Sequence, residues 1–158
     1  MNKTTQLKKL LLQRKALPCP GVYDALSARM VEYCGFQACQ ISGFGVSASS
    51  LGMTDASFTS LEEIVRITSN IVRAVDIPVM TDADTGYGNA VNVWWTTKRL
   101  EETGAAGMNL EDQCFPKRCG HMAGKQLISL GEMVGKIRAA VDAKRDPDFV
   151  INARTDAA

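Results

Sequence analysis

Asp82 and Asp84 stand two residues apart in TDADTGYGN (81–89), directly after the apolar run IPVM (77–80). On an extended strand end such residues project to one side, and Glu111 in NLED (109–112) closes another largely apolar run. Three carboxylates gathered in one mouth call for a cation. Oxygen-only ligands at the edge of a cleft suit Mg2+ or Mn2+, which keep several waters and take one or two carboxylates directly. On this reading Asp84 is the direct ligand, with Asp82 and Glu111 acting partly through water. The competing reading is conformational, because aspartate and glycine build turns by themselves; for Glu111 and Asp112 it is a helix cap or a solvated loop pair.

A second chemical stretch is FPKRCGHMAGK (115–125), with two glycines, three Lys/Arg residues and the sole histidine, His121. It reads as a mobile loop over the mouth. Lys117, Arg118 and His121 suit the carboxylates of an anionic substrate, and such cations flanking Cys119 favour its thiolate. Cys119 is then an acid or base; the alternative is a small buried residue without chemistry.

The elements that must position these groups follow from periodicity. Ser60 to Val75 places Leu61, Ile64, Val65, Thr68, Ile71, Val72 and Val75 on one helical face, opened by a Ser60/Glu63 capping box. A Ser129/Glu132 box opens another helix, with Met133, Val134, Ile137, Ala140 and Val141 pointing one way. Leu7, Leu10 and Leu11 mark an early helix, and Asp24 and Asn89 are N-caps for two more. Between the helices lie short apolar runs at 19–24, 38–44, 77–82, 106–112 and 149–155. Apolar strands alternating with amphipathic helices imply a parallel α/β sheet, either doubly wound or closed as a (β/α)8 barrel. SGFGVSASSLG (42–52) lacks the third glycine and the G-K-S/T of phosphate-binding loops. Polar residues at successive strand ends (Ser42 and Gly43, Asp82 and Asp84, Glu111 and Asp112, Arg154 and Asp156) suit a barrel mouth.

With 158 residues the chain has the length of one domain. Eighteen Lys and Arg balance seventeen Asp and Glu, so no broad electrostatic footprint for nucleic acid or an anionic membrane exists. No run reaches the roughly 20 apolar residues of a membrane span, and MNKTTQLKKLLLQRK is amphipathic, unlike a signal peptide. A cytoplasmic location is expected. Five cysteines with no C-x-x-C pair argue against a disulfide framework or structural zinc, and most are expected reduced and buried.

KRCGH (117–121), DADTGYGN (82–89), NLEDQ (109–113) and ARTDA (153–157) resemble, in order, the signature stretches of the isocitrate lyase and phosphoenolpyruvate mutase superfamily. The resemblance implies a TIM-type barrel, of which residues 1–158 form a single partial domain, the N-terminal five βα units. K-R-C-G-H is similar to the 2-methylisocitrate lyase branch. It implies Mg2+-dependent retro-aldol cleavage of a small 2-hydroxy di- or tricarboxylic acid, in which Arg154 holds the 2-hydroxy acid end and Cys119 protonates the enolate-like product. Carried over by residue, Asp82, Asp84 and Glu111 form the metal group, and Glu111 and His121 join Cys119 and Arg154 in catalysis. Ser42, Gly43, Phe44, Asp55, Lys117, Arg118 and Gly120 bind substrate.

Two departures matter. Phe44 stands where such lyases tend to have glycine, and Gln40 where the methylisocitrate enzymes tend to have tyrosine. Dimethylmalate-type lyases, oxaloacetate hydrolases or decarboxylases, and a catalytically silent half-barrel therefore stay open. The expected partners are a small anionic carboxylic acid and further copies of the chain. With about five of eight strands, an uncovered sheet edge predicts that the isolated chain associates or is unstable.

Overall fold

Ser60 starts helix α4 (Leu61–Ala74): its hydroxyl accepts the Glu63 N–H while the Glu63 carboxylate takes the Ser60 N–H at 2.7 Å. This reciprocal pair satisfies donors that a helix start leaves open. The computed structural model describes residues 1–13, 15–120 and 122–157. Among these, α1 (Lys3–Leu11) is followed by β1 (Gly21–Val22), α2 (Ala25–Tyr33), β2 (Cys39–Ile41) and α3 (Gly43–Leu51). After α4 come β3 (Val79–Asp82), α5 (Ala90–Glu101), β4 (Gly107–Glu111), α6 (Leu130–Ala143) and β5 (Val150–Arg154). Asp24 and Asn89 cap α2 and α5 as expected, each with a reciprocal bond from its third helical residue. Ser129 caps α6 through the Glu132 N–H at 3.2 Å.

The five strands are parallel and neighbour one another in chain order, β1-β2-β3-β4-β5. A doubly wound sheet reverses its strand order at a switch point; none occurs here, and α2, α4, α5 and α6 pack successively along one face. The sheet is therefore the first portion of a (β/α)8 barrel. It holds four complete crossovers, and the fifth unit contributes its strand. Registers align Gln40 with Met80, Met80 with Gly107, and Gly107 with Val150. One layer up, Asp82, Asn109 and Asn152 align, and above them Glu111 faces Arg154.

The main core lies between sheet and helices, where Ile41, Val79, Met108 and Leu110 meet Ile64, Ile71, Val93 and Leu100. A smaller cluster of Leu7, Ala38, Met80 and Ala106 fills the bottom of the barrel, and α1 covers it. Lys3 donates to the Val72 and Val75 carbonyls, and Thr5 and Lys8 bind Asp148 at 2.7 Å each.

Three expectations are corrected. Helix α3 was not anticipated, and the run read as a strand over 38–44 ends before it: Ser42 caps the helix at the Gly45 N–H, and packing of Val46 overrides the low helix propensity of its glycines. On α6, Val134 and Val141 are exposed while Lys136 is buried, so the inward face is rotated from the apolar stripe. Of the five cysteines only Cys39 and Cys119 are buried. Among the described residues no helix is long and apolar enough to cross a membrane.

A Cβ on Gly107 would run into the Val150 backbone and the Met80 sulfur. Gly107→Ala is expected to cost about 1–3 kcal/mol in urea unfolding through overpacking. Asn152, Ala153 and Arg154 on β5 are exposed beside a free strand edge, so the chain is expected to associate; a stable monomer in dilute light scattering overturns this.

Candidate active site

Asp82 is the last residue of β3, and both of its oxygens are engaged by backbone. Oδ1 accepts the Asp84 N–H at 2.9 Å and Oδ2 the Gly43 N–H at 3.1 Å. The conformational reading of DADTGYG therefore holds together with the chemical one: Asp82 closes a turn that places Asp84 at φ 55°, a left-handed conformation that aspartate tolerates better than most. A Cβ on Gly43 would collide with the Asp82 carboxylate, so glycine is what lets α3 approach β3.

Glu111 and Arg154 end β4 and β5 in register, with Arg154 Nη1 3.4 Å from Glu111 Oε2. The chain then folds back and inserts Lys117 among the strand ends. Its Nζ lies 2.9 Å from Asp55 Oδ2, contacts Asp84 Oδ1, and is 3.9 Å from Glu111 Oε1, with the side chain 4% exposed. Ser57 Oγ accepts the Lys117 N–H at 3.1 Å. Gln113 Nε2 donates to Glu111 (3.0 Å) and Asp156 (3.1 Å), while its carbonyl accepts the Arg118 N–H. Asp156 in turn holds the Arg154 guanidinium at 2.8 Å.

These groups surround a polar cavity of about 340 Å³ at the carboxyl ends of the strands. Of the expected site residues, Ser42, Gly43, Phe44, Asp55, Asp82, Glu111, Lys117, Cys119, Gly120 and Arg154 all line it. Asp84 does not: it is recessed behind Lys117, lining a smaller pocket with Ser57 and Tyr87. Of the two aspartates it is Asp82, and not Asp84 as expected, that faces the larger cavity. Arg118 is also corrected, since it is exposed, reaches the Ala123 carbonyl, and lines a separate cavity with Gln113 and Gln126. His121 lies outside the described residues. Cys119 is 6% exposed, and Lys117, expected beside it as a free cation, is instead engaged by carboxylates. The loop is tied down through Lys117, Arg118 and the Cys114 N–H to Gln126 carbonyl bond.

Sequence reasoning missed Cys19 and Gly21 as cavity walls, while Gln40, singled out there for its bearing on the substrate, does line the cavity. Strand parity carries the signal for Gln40, which precedes Ser42 by two residues and shares its side. Ser57 was missed because its partners Lys117 and Asp84 are distant in sequence, and Gln113 because a neutral amide beside Glu111 and Asp112 carries no signal of its own.

Four carboxylates (Asp55, Asp82, Asp84, Glu111) face two cations (Lys117, Arg154), so the cluster carries surplus negative charge. Burial, reinforced by neighbouring carboxylates, lifts Asp84 to about 6 and Glu111 to about 7. Burial opposes the Lys117 ammonium, yet Asp82, Asp84 and Glu111 together raise it above its usual range. The two results are consistent, because one ammonium is shared: it gains from several anions, whereas each anion gains a fraction of one cation. An oxygen-only donor set with uncompensated charge fits a hard divalent ion. Among the described residues no group of three or more acidic, His or Cys side chains is arranged to hold a metal ion by itself.

The family model described as phosphoenolpyruvate phosphomutase matches residues 7–158. The chain is 47% identical over 157 residues to 2,3-dimethylmalate lyase of Eubacterium barkeri, covering 99% of this chain and 54% of that protein. It is 47% identical over 151 residues to 2-methylisocitrate lyase of Aeropyrum pernix, covering 96% and 48%. Oxaloacetate acetylhydrolase bound to 3,3-difluorooxalacetate superimposes with a TM-score of 0.93 at 40% identity, over 99% of this chain and 54% of that one. Phosphonopyruvate hydrolase in complex with oxalate and Mg2+ gives 0.91 at 35% identity, over 99% and 53%. The chain spans about half the length of the relatives it matches.

Raised carboxyl values mean that Asp84 and Glu111 contribute stability in full below their unfolded values of 3.8 and 4.5, and that this is lost as pH rises through about 6 and 7. Lys117→Met is expected to cost about 3–5 kcal/mol in urea unfolding near neutral pH, from carboxylates left buried without their cation. The loss should shrink near about pH 5, where Asp84 and Glu111 are protonated.

Proposed function

The chain belongs to the phosphoenolpyruvate phosphomutase family, and from that premise we propose that it carries the metal-binding and proton-transfer part of a Mg2+-dependent carbon–carbon lyase. Its substrate class is a small 2-hydroxy di- or tricarboxylic acid of the 2-methylisocitrate or 2,3-dimethylmalate kind. The observation that carries the reading is the surplus negative charge of the carboxylate cluster, set in one cavity with Arg154 and Cys119.

Asp82 would hold Mg2+ (or Mn2+) directly, with Asp55 and Glu111 contributing through water and Asp84 braced behind Lys117. When bound, the ion supplies Lewis-acid polarisation of the substrate's 2-oxygen and neutralises the cluster. Arg154 binds the carboxylate of the 2-hydroxy acid end. Helix α3 directs its N-terminus, Ser42 to Phe44, at the same cavity, which favours a second carboxylate. Glu111, lifted to about 7, is suited to take the hydroxyl proton as the C–C bond breaks. The electron pair remains on the departing fragment, on the carbon beside its carboxylate, and the Cys119 thiol protonates that carbon. Burial of Cys119 limits water at this step.

A second reading is hydrolysis of an oxaloacetate-type 2-oxo acid, favoured by Phe44 and Gln40 in the cavity wall and by the likeness to oxaloacetate acetylhydrolase.

Offered 2-methylisocitrate, 2,3-dimethylmalate, isocitrate and oxaloacetate, the chain is expected to release a carbonyl acid from a 2-hydroxy acid only with Mg2+, and to lose this in Asp82→Ala. Cys119→Ser should lower kcat by about 10²–10⁴ with Mg2+ affinity nearly unchanged. Oxalate as product would select the second reading, and no turnover with any of the four acids would discard both for this chain. Independently of turnover, Mg2+ should raise Tm, more above about pH 7 than below, because protons compete for the same carboxylates.

A further inference from the structure

Lys136 sits on α6, outside the barrel and away from the cavity, yet the residue is only 2% exposed. Its Nζ donates to the Thr85 carbonyl at 2.9 Å. An ammonium placed in an apolar helix interface is costly without such a partner, and no contact with substrate accounts for its presence.

The segment it grips is conformationally strained. Asp84, Gly86, Tyr87 and Gly88 have φ of 55°, 91°, 60° and 145°, and two of them carry side chains that this region disfavours. Such conformations persist where surroundings over-determine them. On the cavity side Asp84 is drawn towards Lys117 and Ser57. On the outer side Thr96 of α5 donates to the Gly86 carbonyl at 3.1 Å, next to the bond from Lys136 to Thr85. The Thr85 hydroxyl is buried without a partner among the described residues, so its side chain adds no anchor. Val93 and Leu110 occupy the space a Cβ on Gly86 would need, which prevents the turn from relaxing inward.

We propose that Lys136 is a positioning residue for the carboxylate cluster: by pinning the Thr85 carbonyl it keeps Asp84 under Lys117 and Asp82 at the cavity wall. The consequence for metal binding rests on the function proposed above; the pinning itself does not.

The test uses the full chain as Lys136→Met, with Ala140→Gly as a variant that weakens the same helix without touching the turn. Amide exchange is followed by NMR without metal, and Mg2+ binding by calorimetry. Lys136→Met is expected to speed exchange at Asp84 and Gly86 by about 10-fold or more, leaving α4 protected, and to weaken Mg2+ binding by about 10-fold or more. Ala140→Gly should produce neither local effect. Exchange that rises equally everywhere, or no more at Asp84 and Gly86 than in Ala140→Gly, overturns the proposal; so does unchanged Mg2+ affinity. If the parent chain binds no Mg2+, the functional reading of the cluster fails while exchange still decides the pinning. Should Lys136→Met not fold, Lys136→Gln takes its place: a loosened turn in the folded variant supports the clamp and an unchanged one overturns it.

Discussion

One ammonium shared among several carboxylates governs the architecture of this chain. Lys117 cannot reach Asp55, Asp84 and Glu111 unless the ends of β3 and β4 and the segment after α3 converge, and a flat sheet would splay them apart. Sequential parallel strands curving towards a barrel bring them together, and the excursion after β4 must then return over the strand ends. Ser57 and Gln113 secure that return through backbone N–H groups, so its path does not depend on the ion pairs alone.

The arrangement trades stability for readiness. A neutral apolar mouth would fold more comfortably, because buried ion pairs rarely repay their desolvation in full. Here burial, reinforced by the imbalance of charge, leaves Asp84 and Glu111 partly protonated near neutrality. A cluster that resists its own ionisation has a standing affinity for added positive charge, and the backbone N–H groups on Asp82 hold it in place before any ligand arrives. That preorganisation is what an electrostatic catalyst requires.

Much of this was legible in the sequence. A capping box announced α4, the Asn89 N-cap announced α5, strand-end polar residues announced the mouth, and ten of the expected site residues line one cavity. The failures share a physical cause. Spacing assigned Asp84 to the front because i and i+2 share a side on a strand, but the strand ends at Asp82 and the turn rotates Asp84 inward. Arg118 and Lys117 are adjacent, and nothing in their order tells which is turned to the carboxylates. Lys136 was not singled out, because its partner is a main-chain carbonyl, a group that every residue possesses and no composition betrays.

Helix α1 closes the bottom of the barrel by binding the turn before β5, with Thr4 on Asp146 and Thr5 and Lys8 on Asp148. These contacts join residues 140 to 143 positions apart, so α1 docks only on a partner that the intervening strands have already positioned. Leu7 stays in water until the strand at the far end has been made. Helix α1 alone is short for independent stability, and closing so long a loop carries an entropic cost that local contacts do not offset. The ordering of α1 is thus coupled to that of the turn before β5.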